Sequence, residues 1–287
     1  MKVARRPEEL GEVKRVAAVG SFDGVHRGHR RVIDEARALG PVTVVTFWPH
    51  PRIVLGYHVE LLSTLERRLE LLEEGGVDEA LVVEFTPELA GRDPAEFADS
   101  ILRRIGADTI VVGEDFRFGR AAAGDPELLR RLGFDVHTVP LHAGVSSTEI
   151  RNLLREGDVV SAAALLGHPP EVEGTVVLGE QRGGTLGYPT ANLAVAPDLL
   201  VPAYGIYAGS ALGHRAAISI GVNPHYGGDE RRIEPYLLDF DGDLYGQRLV
   251  VELWQRLREE RAFESEEELV RQIARDVDQT RGARRPE

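Results

Sequence analysis

The chain has 287 residues, a length that allows one large domain or two ordinary ones, and we take two as the starting expectation. Its 34 basic and 47 acidic residues give a formal charge of −13, which argues against a nucleic-acid binder that relies on bulk positive charge. This charge does not exclude small anionic ligands, because they can bind at sites where the local charge is favourable. No cysteine is present, so disulfides, thiolate metal sites and a cysteine nucleophile are excluded.

The amino terminus carries no recognisable targeting signal. The stretch MKVARRPEELGEVKR is charged and lacks the apolar segment of a signal peptide, and no apolar run approaches the roughly 18 residues needed to span a bilayer. Together with the absence of cysteine, these features predict a soluble cytoplasmic protein with neither a membrane nor a nucleic-acid partner. The oligomeric state stays open, and a homo-oligomer is compatible with the sequence.

From Val16 to about Gly167 the chain alternates short apolar runs with helix-like segments. The runs are typical of buried strands: VAAV (16–19), VTVVTF (42–47), ALVVEF (80–85), TIVVG (109–113) and DVHTV (135–139). A repeated strand, helix, strand order predicts a doubly wound α/β domain, a parallel sheet with helices on both faces. Ligands of such domains bind beyond the carboxyl ends of the strands.

Helix start signals lie between these strands. Ser63 followed by Glu66 fits a capping box, and Gly75 is a suitable stop for the same helix. Asp93 and Asp125 each precede a proline that suits the first helical turn. The sequence therefore predicts helices that begin at each of these three places.

The pattern changes after Gly167, where His168-Pro169-Pro170 interrupts the chain. Glycine-punctuated runs follow with little room for helices: VEGTVVLG, GIYAGSALG, RAAISIGV, YLLDF and QRLVVELW. We therefore expect two domains, 1–167 and 168–287, the second a small antiparallel β-barrel or sandwich. Ser265 and Glu268 predict a capped, amphipathic terminal helix.

The loop after the first predicted strand, VGSFDGVHRGHRR (19–31), is rich in glycine. Gly20 and Gly24 allow a tight backbone, and Gly28 lets a ligand approach closely where a helix over 29–39 begins. Free N–H groups at a helix start and the helix dipole both favour an anion. The loop therefore predicts a phosphate site.

His26 and His29, three residues apart, can donate hydrogen bonds to charge that develops on one phosphoryl group. Two other readings stay open. One is a metal site on the same histidines, although no further ligand is evident, and the other is a plain structural turn. The loop is neither a Walker loop nor a dinucleotide G-x-G-x-x-G motif.

GSFDGVHRGH (20–29) resembles the H-x-G-H signature of the nucleotidylyltransferase superfamily, in the form found in bacterial bifunctional riboflavin kinase and FMN adenylyltransferase (FAD synthetase). FWPHP (47–51), GEDFRFG (113–119) and SSTEIR (146–151) match further motifs of that family, in family order. The resemblance continues to about residue 281. It implies a Rossmann-like nucleotidylyltransferase domain followed by a riboflavin kinase barrel with a terminal helix.

The resemblance implies two sets of ligand residues in the first domain. His26 and His29 would be catalytic in adenylyl transfer. ATP would be bound by Gly20, Ser21, Phe22, Asp23, Gly24, His26, Gly28, His29, Ser147, Thr148 and Arg151. FMN would be bound by Pro49, His50 and Asp115.

Plainer readings of these first-domain motifs also exist. Ser147 or Thr148 could only cap a helix, and the turn at 49–51 could be rigid without binding anything. Phe116 and Phe118 could belong to the core, which would leave Asp115 as the ligand contact of its motif.

GGTLGYPTAN (183–192) resembles the riboflavin kinase motif G-x-x-L-G-[FY]-P-T-A-N, GVNP (221–224) its G-x-N-P loop and EPYLLDF (234–240) its E-x-x-L-L-D-F strand. The resemblance implies that Glu234 is the catalytic base for the riboflavin 5′-hydroxyl. Thr190 and Asn192 would be Mg²⁺ ligands, since both offer oxygen to a hard cation. ATP and flavin would be bound by Gly183, Gly187, Pro189, Thr190, Asn192, Asn223 and Arg258.

Taken alone, these second-domain residues have other readings. Pro-Thr-Ala-Asn is typical of a turn, Glu234 of a solvent-facing strand position, and Arg258 of a solvated helix face. The chain also departs from the family pattern at Trp48, His225 and Pro235. None of these departures removes a catalytic group implied by the resemblance, but they put substrate affinity in question.

The resemblance implies a bifunctional enzyme. Riboflavin and ATP would give FMN and ADP in the barrel, and FMN and ATP would give FAD and pyrophosphate in the first domain, with Mg²⁺ required in both reactions. A nucleotidylyltransferase with another phosphate acceptor and a flavin-binding regulator with reduced catalysis are the alternatives.

Overall fold

The computed structural model of the protein describes residues 1–11, 13–140, 144–179, 182–222 and 231–286. Contacts within the chain define two compact units, Met1–Val59 with Thr64–Ser146 and Glu60–Ser63 with Ser147–Glu287. Each unit is described below by itself. This division assigns the two helices that precede the predicted boundary at 167/168 to the second unit.

The first unit is built on a parallel six-stranded sheet with the strand order β1-β4-β3-β2-β5-β6. Its strands are β1 Lys2–Ala4, β2 Arg15–Val19, β3 Val42–Trp48, β4 Glu79–Glu84, β5 Ala107–Gly113 and β6 Asp135–Val139. Its α-helices are α1 Arg27–Leu39, α2 Pro51–Val54, α3 Leu65–Glu74, α4 Pro87–Ala90, α5 Pro94–Phe97 and α6 Pro126–Arg131. A π-helical segment, Ala98–Arg103, continues α5.

Two apolar clusters cover the two faces of this sheet. Alternate residues of β2 enter different clusters: Ala17 and Val19 pack with the π-helical segment and α6, whereas Val16 and Ala18 pack with α1 and α3. Side chains of a strand alternate between faces, so a strand buried on both sides must be apolar throughout. The predicted doubly wound domain with helices on both faces is confirmed.

The helix start signals are confirmed at Asp93 and Asp125, whose side chains accept hydrogen bonds from backbone N–H groups of α5 and α6. The predicted start at Ser63 is wrong by one residue. Thr64 caps α3 instead, because its hydroxyl accepts from the N–H of Arg67 at 3.2 Å. Strand β1, at the sheet edge, was not predicted.

The second unit begins with two helices, α7 Ser147–Glu156 and α8 Val159–Leu166. An antiparallel six-stranded sheet follows, with the order β11-β10-β9-β12-β7-β8. Its strands are β7 Glu171–Val177, β8 Asn192–Ala194, β9 Gly205–Ala211, β10 His214–Val222, β11 Arg231–Leu237 and β12 Arg248–Arg258. The remaining helices are α9 Arg182–Thr185 and α10 Glu266–Gly282.

The sheet of the second unit curls into a barrel. Ala191, next to β8, donates its N–H to the Pro235 carbonyl of β11 at 3.0 Å, which brings the two edge strands of the sheet together. Helix α10 packs against β9 and β10, and Ser265 caps it as predicted. The predicted antiparallel barrel with a terminal helix is confirmed.

Two details of the second unit differ from the sequence prediction. The run YLLDF lies only partly in a strand, because β11 ends at Leu237 and Asp239 turns the chain with a φ of 58°. Arg258 ends strand β12 and does not lie on a helix, so the solvated helix face predicted as one reading is wrong.

Candidate active sites in the two units

Three of the sequence motifs in the first unit follow strands whose carboxyl ends lie at one edge of the sheet. Strand β2 has β3 on one side and β5 on the other, so the strand order reverses there. The loops after β2, β3 and β5 carry the segments 20–29, 49–50 and 113–119. Doubly wound sheets bind ligands at such a reversal. The structure thus gathers these three motifs at the expected ligand edge.

The loop after β2 adopts left-handed backbone angles at three residues. The φ angles are 51° at Phe22, 73° at Gly24 and 39° at Val25. A β-branched residue such as Val25 is rare in this region, and each such non-glycine residue costs roughly 1–3 kcal/mol. The conformation therefore depends on its surroundings. One such contact is the hydroxyl of Thr46, which donates to the Ser21 carbonyl at 3.0 Å.

The two histidine rings of this loop are stacked, with centroids 3.6 Å apart and planes 16° from parallel. The Nδ1 of His26 accepts a hydrogen bond from the backbone N–H of His29 at 3.3 Å and so caps α1. Because Nδ1 is the acceptor, the neutral His26 ring carries its proton on Nε2, which makes Nε2–H a donor. The structure therefore brings both predicted catalytic histidines to the first turn of a helix.

Gly28 lies against these rings. A Cβ atom at this position would come within 3.0 Å of Cε1 and 3.1 Å of Nδ1 of His26. Glycine is therefore favoured here, since any larger residue would push the histidine ring by a few tenths of an ångström. The sequence had suggested close approach of a ligand as the reason for this glycine.

The residues predicted to bind FMN differ in exposure. His50 is buried and its Nδ1 accepts from the N–H of Arg52 at 3.2 Å, so it caps the short helix α2. Pro49 and Asp115 are exposed at the ends of β3 and β5. Phe118 is buried, which confirms its reading as a core residue.

The remaining predicted ATP residues lie in the second unit. Ser147 and Thr148 form the first turn of α7, and Thr148 is exposed. Arg151 is buried, and its Nε donates to the Glu60 carbonyl at 2.6 Å. The structure thus assigns this motif to the amino-terminal helix of the second unit.

Within the described residues, no three His, Asp or Glu side chains lie together in a way that would hold a metal ion. The reading of His26 and His29 as part of a zinc site therefore gains no support. Asn223 lies outside the described residues, as do Pro224 and His225.

A cavity of about 350 Å³, here called the first cavity, opens in the second unit. On β11, Arg232, Glu234 and Tyr236 alternate along the strand and face it. Their partners on the neighbouring strand β10 are Gly221, Ser219 and Ala217, all small. Because the side chains of β10 are small, they leave space into which the larger side chains of β11 project. Glu234 is therefore half-buried in a cavity wall, unlike the solvent-facing reading of the sequence.

The P-T-A-N motif forms another wall of the first cavity. Thr190 and Asn192 line it, together with Gly183, Leu186 and Tyr188. A Cβ at Gly183 would lie 2.4 Å from the Tyr188 carbonyl, so the backbone folds closely on itself there. Pro189 and Gly187 are exposed at the turn. The structure thus brings Thr190, Asn192 and Glu234 around one space.

Helix α10 and the segment before it close the first cavity on its apolar side. Phe263, Leu269 and Ile273 line this side. Arg258 donates from Nη2 to Asp276 of α10 at 2.8 Å and from Nε at 3.1 Å, which ties the helix to the end of β12. The sequence showed that α10 is amphipathic but not which surface it covers, so these lining residues were missed.

Glu260 also lines the first cavity. Burial raises the pKa of its carboxyl, and this effect outweighs the opposing hydrogen bond from the Val222 N–H and the nearby charge of Arg258. No sequence motif singled out this residue.

A second cavity of about 400 Å³ shares Thr190 with the first. Its other lining residues include Val176, Pro189, Phe240 and Tyr245, together with Asp241 and Asp243. An apolar wall with a few polar groups is typical of a small-molecule site. The two cavities lie on opposite faces of β11, because Glu234 and Tyr236 line the first whereas Pro235 and Leu237 line the second.

The fold and the two candidate sites suit a transferase that acts on phosphate groups. Comparison with known proteins supports this class in both parts of the chain. The FAD synthetase family model matches residues 10–151, and the riboflavin kinase family model matches residues 166–283.

Similar proteins span nearly the whole chain. A bifunctional riboflavin kinase/FMN adenylyltransferase of Listeria monocytogenes is 35% identical, over 96% of this chain and 94% of that protein. Those of Escherichia coli K12 and Pseudomonas fluorescens are 34% and 37% identical, over 96% and 98% of this chain and 96% of each relative. The chain belongs to the bifunctional riboflavin kinase/FMN adenylyltransferase family. It is a transferase with both a kinase and an adenylyltransferase domain, which favours the bifunctional reading over a different acceptor or a regulator.

A crystal structure of a Streptococcus pneumoniae protein described as a macrolide-efflux protein matches with a TM-score of 0.86 and 32% identity, over 97% of this chain and 98% of that one. The description as an efflux protein applies to the Streptococcus pneumoniae protein and is not extended to this chain. Among the residues described here, none of the helices is long and apolar enough to cross a membrane.

Proposed function

We propose that the two reactions of this enzyme are divided between residues 1–167, the FMN adenylyltransferase domain, and residues 168–287, the riboflavin kinase domain. ATP phosphorylates riboflavin in the barrel, and the product FMN is adenylylated by a second ATP at the loop after β2. The observation that carries the proposal is the meeting of Thr190, Asn192 and Glu234 around the first cavity, while the stacked histidines lie in the other unit.

In the kinase reaction, riboflavin occupies the first cavity and ATP the second. The apolar side formed by Phe263, Leu269 and Ile273 suits a flavin ring. Glu234 takes the proton of the 5′-hydroxyl as that oxygen attacks the γ-phosphorus, and ADP leaves. Thr190 is in the walls of both cavities and lines the first together with Asn192 and Glu234, so the γ-phosphate of ATP must pass this residue to reach the hydroxyl.

Mg²⁺ fits the donor set of Thr190 and Asn192, which offers a hydroxyl and an amide oxygen in the wall of the first cavity. These are the residues that would hold the ion. When bound, Mg²⁺ neutralises charge on the phosphates of ATP. The net charge of −13 on the chain increases the need for such a cation. FMN already carries a negative phosphate group when it meets ATP, and riboflavin acquires one in the reaction.

In the adenylyl transfer, a phosphate oxygen of FMN attacks the α-phosphorus of ATP, a P–O bond forms, and pyrophosphate leaves. No covalent protein intermediate is needed, so catalysis rests on positioning and charge stabilisation. His26 and His29 donate to the phosphoryl oxygens, and the free N–H groups at the start of α1 add to this field. Pro49, His50 and Asp115 contribute to the FMN side.

We also propose a cytoplasmic location, where riboflavin and ATP are both present, and action without nucleic-acid or membrane partners. The acidic charge and the lack of a membrane-spanning helix among the described residues are compatible with this proposal.

The test is to incubate the enzyme with riboflavin and ATP, separate FMN from FAD by chromatography, and repeat the assay with two variants. Glu234→Gln is expected to slow FMN formation about 1,000-fold while FAD formation from supplied FMN continues. His29→Ala is expected to slow FAD formation about 100-fold while FMN formation continues. Loss of both activities in either folded variant would contradict the division between two sites.

A further inference from the structure

Arg68 is the largest fully buried side chain of the described residues. It lies on α3, whose other buried residues, Leu71 and Leu72, belong to an apolar cluster. Arginine is almost never fully buried unless it is paired, so a specific set of contacts must hold it there.

The Arg68 guanidinium contacts two separate segments of the first unit. Its Nη2 lies 3.4 Å from Oδ1 of Asp23, whose side chain is itself buried. Its Nη1 donates to the Phe47 carbonyl at 3.4 Å, and its Cζ lies 5.6 Å from the centroid of the Trp48 ring. One rigid, planar group therefore touches the loop after β2 and the end of β3 together.

These two segments lead directly to the groups assigned to the two substrates of adenylyl transfer. Asp23 lies in the left-handed loop that presents His26. Trp48 precedes Pro49 and His50. The left-handed backbone angles of the loop after β2 are intrinsically unfavourable, so contacts with other residues must stabilise them. The contact between Arg68 and Asp23 can therefore set where the histidines of this loop lie relative to the end of β3.

We infer that Arg68 is a positioning residue for adenylyl transfer: it fixes the distance between the ATP loop and the FMN loop. Since Arg68 is fully buried, it acts through Asp23, Phe47 and Trp48 and not by contact with substrate. In-line attack requires the reacting atoms to be aligned at about 3 Å, and a misplacement of about 1 Å costs about 100-fold in rate. The inference rests on the proposed assignment of the loop after β2 to this reaction.

The preceding residue provides a matched control. Arg67 is on the same helix but pairs with Glu70 and Glu74, both at 2.9 Å and both belonging to α3 itself. The same substitution at Arg67 therefore changes the charge of the helix while the contacts of Arg68 with the two loops stay in place.

The experiment compares Arg68→Met, Arg68→Lys and Arg67→Met in the full chain, with FAD formation measured from supplied FMN and ATP. The rates are divided by the folded fraction of the first unit, taken from urea unfolding followed by Trp48 emission in a Trp254→Phe background. Each variant is compared with its own folded and unfolded baselines, because Arg68 contacts the Trp48 ring. We expect kcat to fall about 100-fold in Arg68→Met and about 10-fold in Arg68→Lys, which keeps the charge but lacks the planar fork. KM for both substrates should stay within about threefold, and Arg67→Met should match the parent.

An Arg68 variant that is folded and keeps kcat within about twofold of the parent would overturn the inference. If Arg68→Met does not fold, Arg68→Lys decides by the same criterion. Failure of both to fold also overturns it, since Arg68 would then serve stability alone. His29→Ala separates the two proposals: FAD formation at the parental rate in that variant would remove the assignment of the loop itself. An inactive His29→Ala beside active Arg68 variants would remove only the role of Arg68.

Discussion

The two candidate sites of this enzyme are built in different ways. In the first unit the site is a backbone loop with left-handed angles, a glycine pressed against a histidine ring, and a buried ion pair beneath it. In the second unit it is a cavity of about 350 Å³ whose walls are alternate side chains of two strands and one face of a helix. The first depends on the shape of the main chain and the second on which side chains surround a space.

This difference predicts how each site responds to change. Small substitutions in the loop should alter geometry and therefore kcat, whereas substitutions in the cavity wall should remove contacts with one substrate and alter KM. Both reactions transfer a phosphate-containing group within an acidic protein, so we expect both to need Mg²⁺. Removal of this ion should have the largest effect of the changes considered below.

Removal of Mg²⁺ tests whether both reactions require this ion. With excess EDTA we expect both FMN and FAD formation to fall by more than about 1,000-fold, because hydrogen-bond donors alone do not replace the two positive charges that Mg²⁺ brings to the phosphates of ATP. Readdition of Mg²⁺ should restore both rates. Sustained turnover of either reaction in EDTA would show that the site concerned works without the ion.

Gly28→Ala tests the dependence of the first site on its main chain. The added Cβ would lie about 3 Å from the His26 ring and must shift the ring by a few tenths of an ångström against His29, so we expect kcat for FAD formation to fall about 10-fold. FMN formation should not change. Gly91→Ala, where the Cβ would meet only carbonyl oxygens at 3.4 Å or more, is the matched control. Equal activity of the two variants would contradict this reading of the loop.

Phe263→Ala tests the dependence of the second site on its side chains. Loss of an aromatic contact with the flavin ring should raise KM for riboflavin about 10-fold and leave KM for ATP unchanged. Tyr245 lines the second cavity, so Tyr245→Ala should raise KM for ATP and leave KM for riboflavin unchanged. The assignment of the two cavities would have to be exchanged if the effects were exchanged.

The smallest expected effect concerns Glu260. Because burial raises its pKa in the folded protein above the ordinary value of 4.5, its contribution favours the folded state below that value and is lost as the pH rises through the raised pKa. Glu260→Gln should therefore increase the free energy of unfolding of the second unit at pH 7 and not at pH 4. We expect less than about 1 kcal/mol, since solvent reaches the carboxylate.

Urea unfolding at the two pH values, followed by the emission of Trp254 in the second unit, would measure this change. Glu259→Gln, at the neighbouring exposed carboxylate, is the control. A gain that is equal at both pH values would show that the charge of Glu260 is not its cause.

The sequence predicted the inner strands of the first unit well because buried strands in a parallel sheet are apolar on both faces, and β2 and β3 are such runs. It missed β1 and β8, which have only three residues each. It placed the start of α1 at 29, whereas the helix begins at Arg27, because the cap is a histidine and not one of the usual capping residues.

The parts of the sites that came from motifs were predictable, and those that came from packing were not. No pattern marks Val25 as left-handed, and nothing local marks Arg68 as buried, since its partners lie about 20 and 45 positions away along the chain. Likewise, the amphipathic pattern of α10 indicated a buried face but not the cavity that Phe263 and Ile273 help to enclose.

The residue shared by the two cavities of the barrel has a consequence for inhibitor chemistry. Because both spaces include Thr190 in their walls, we expect a compound that joins a flavin ring to an adenosine to reach both if its linking chain passes this residue. Linking two binding groups makes the second binding event intramolecular, so such a compound should bind far more tightly than its halves. FAD has this form, which makes the end product of the pathway a natural template for a bisubstrate inhibitor of its first step.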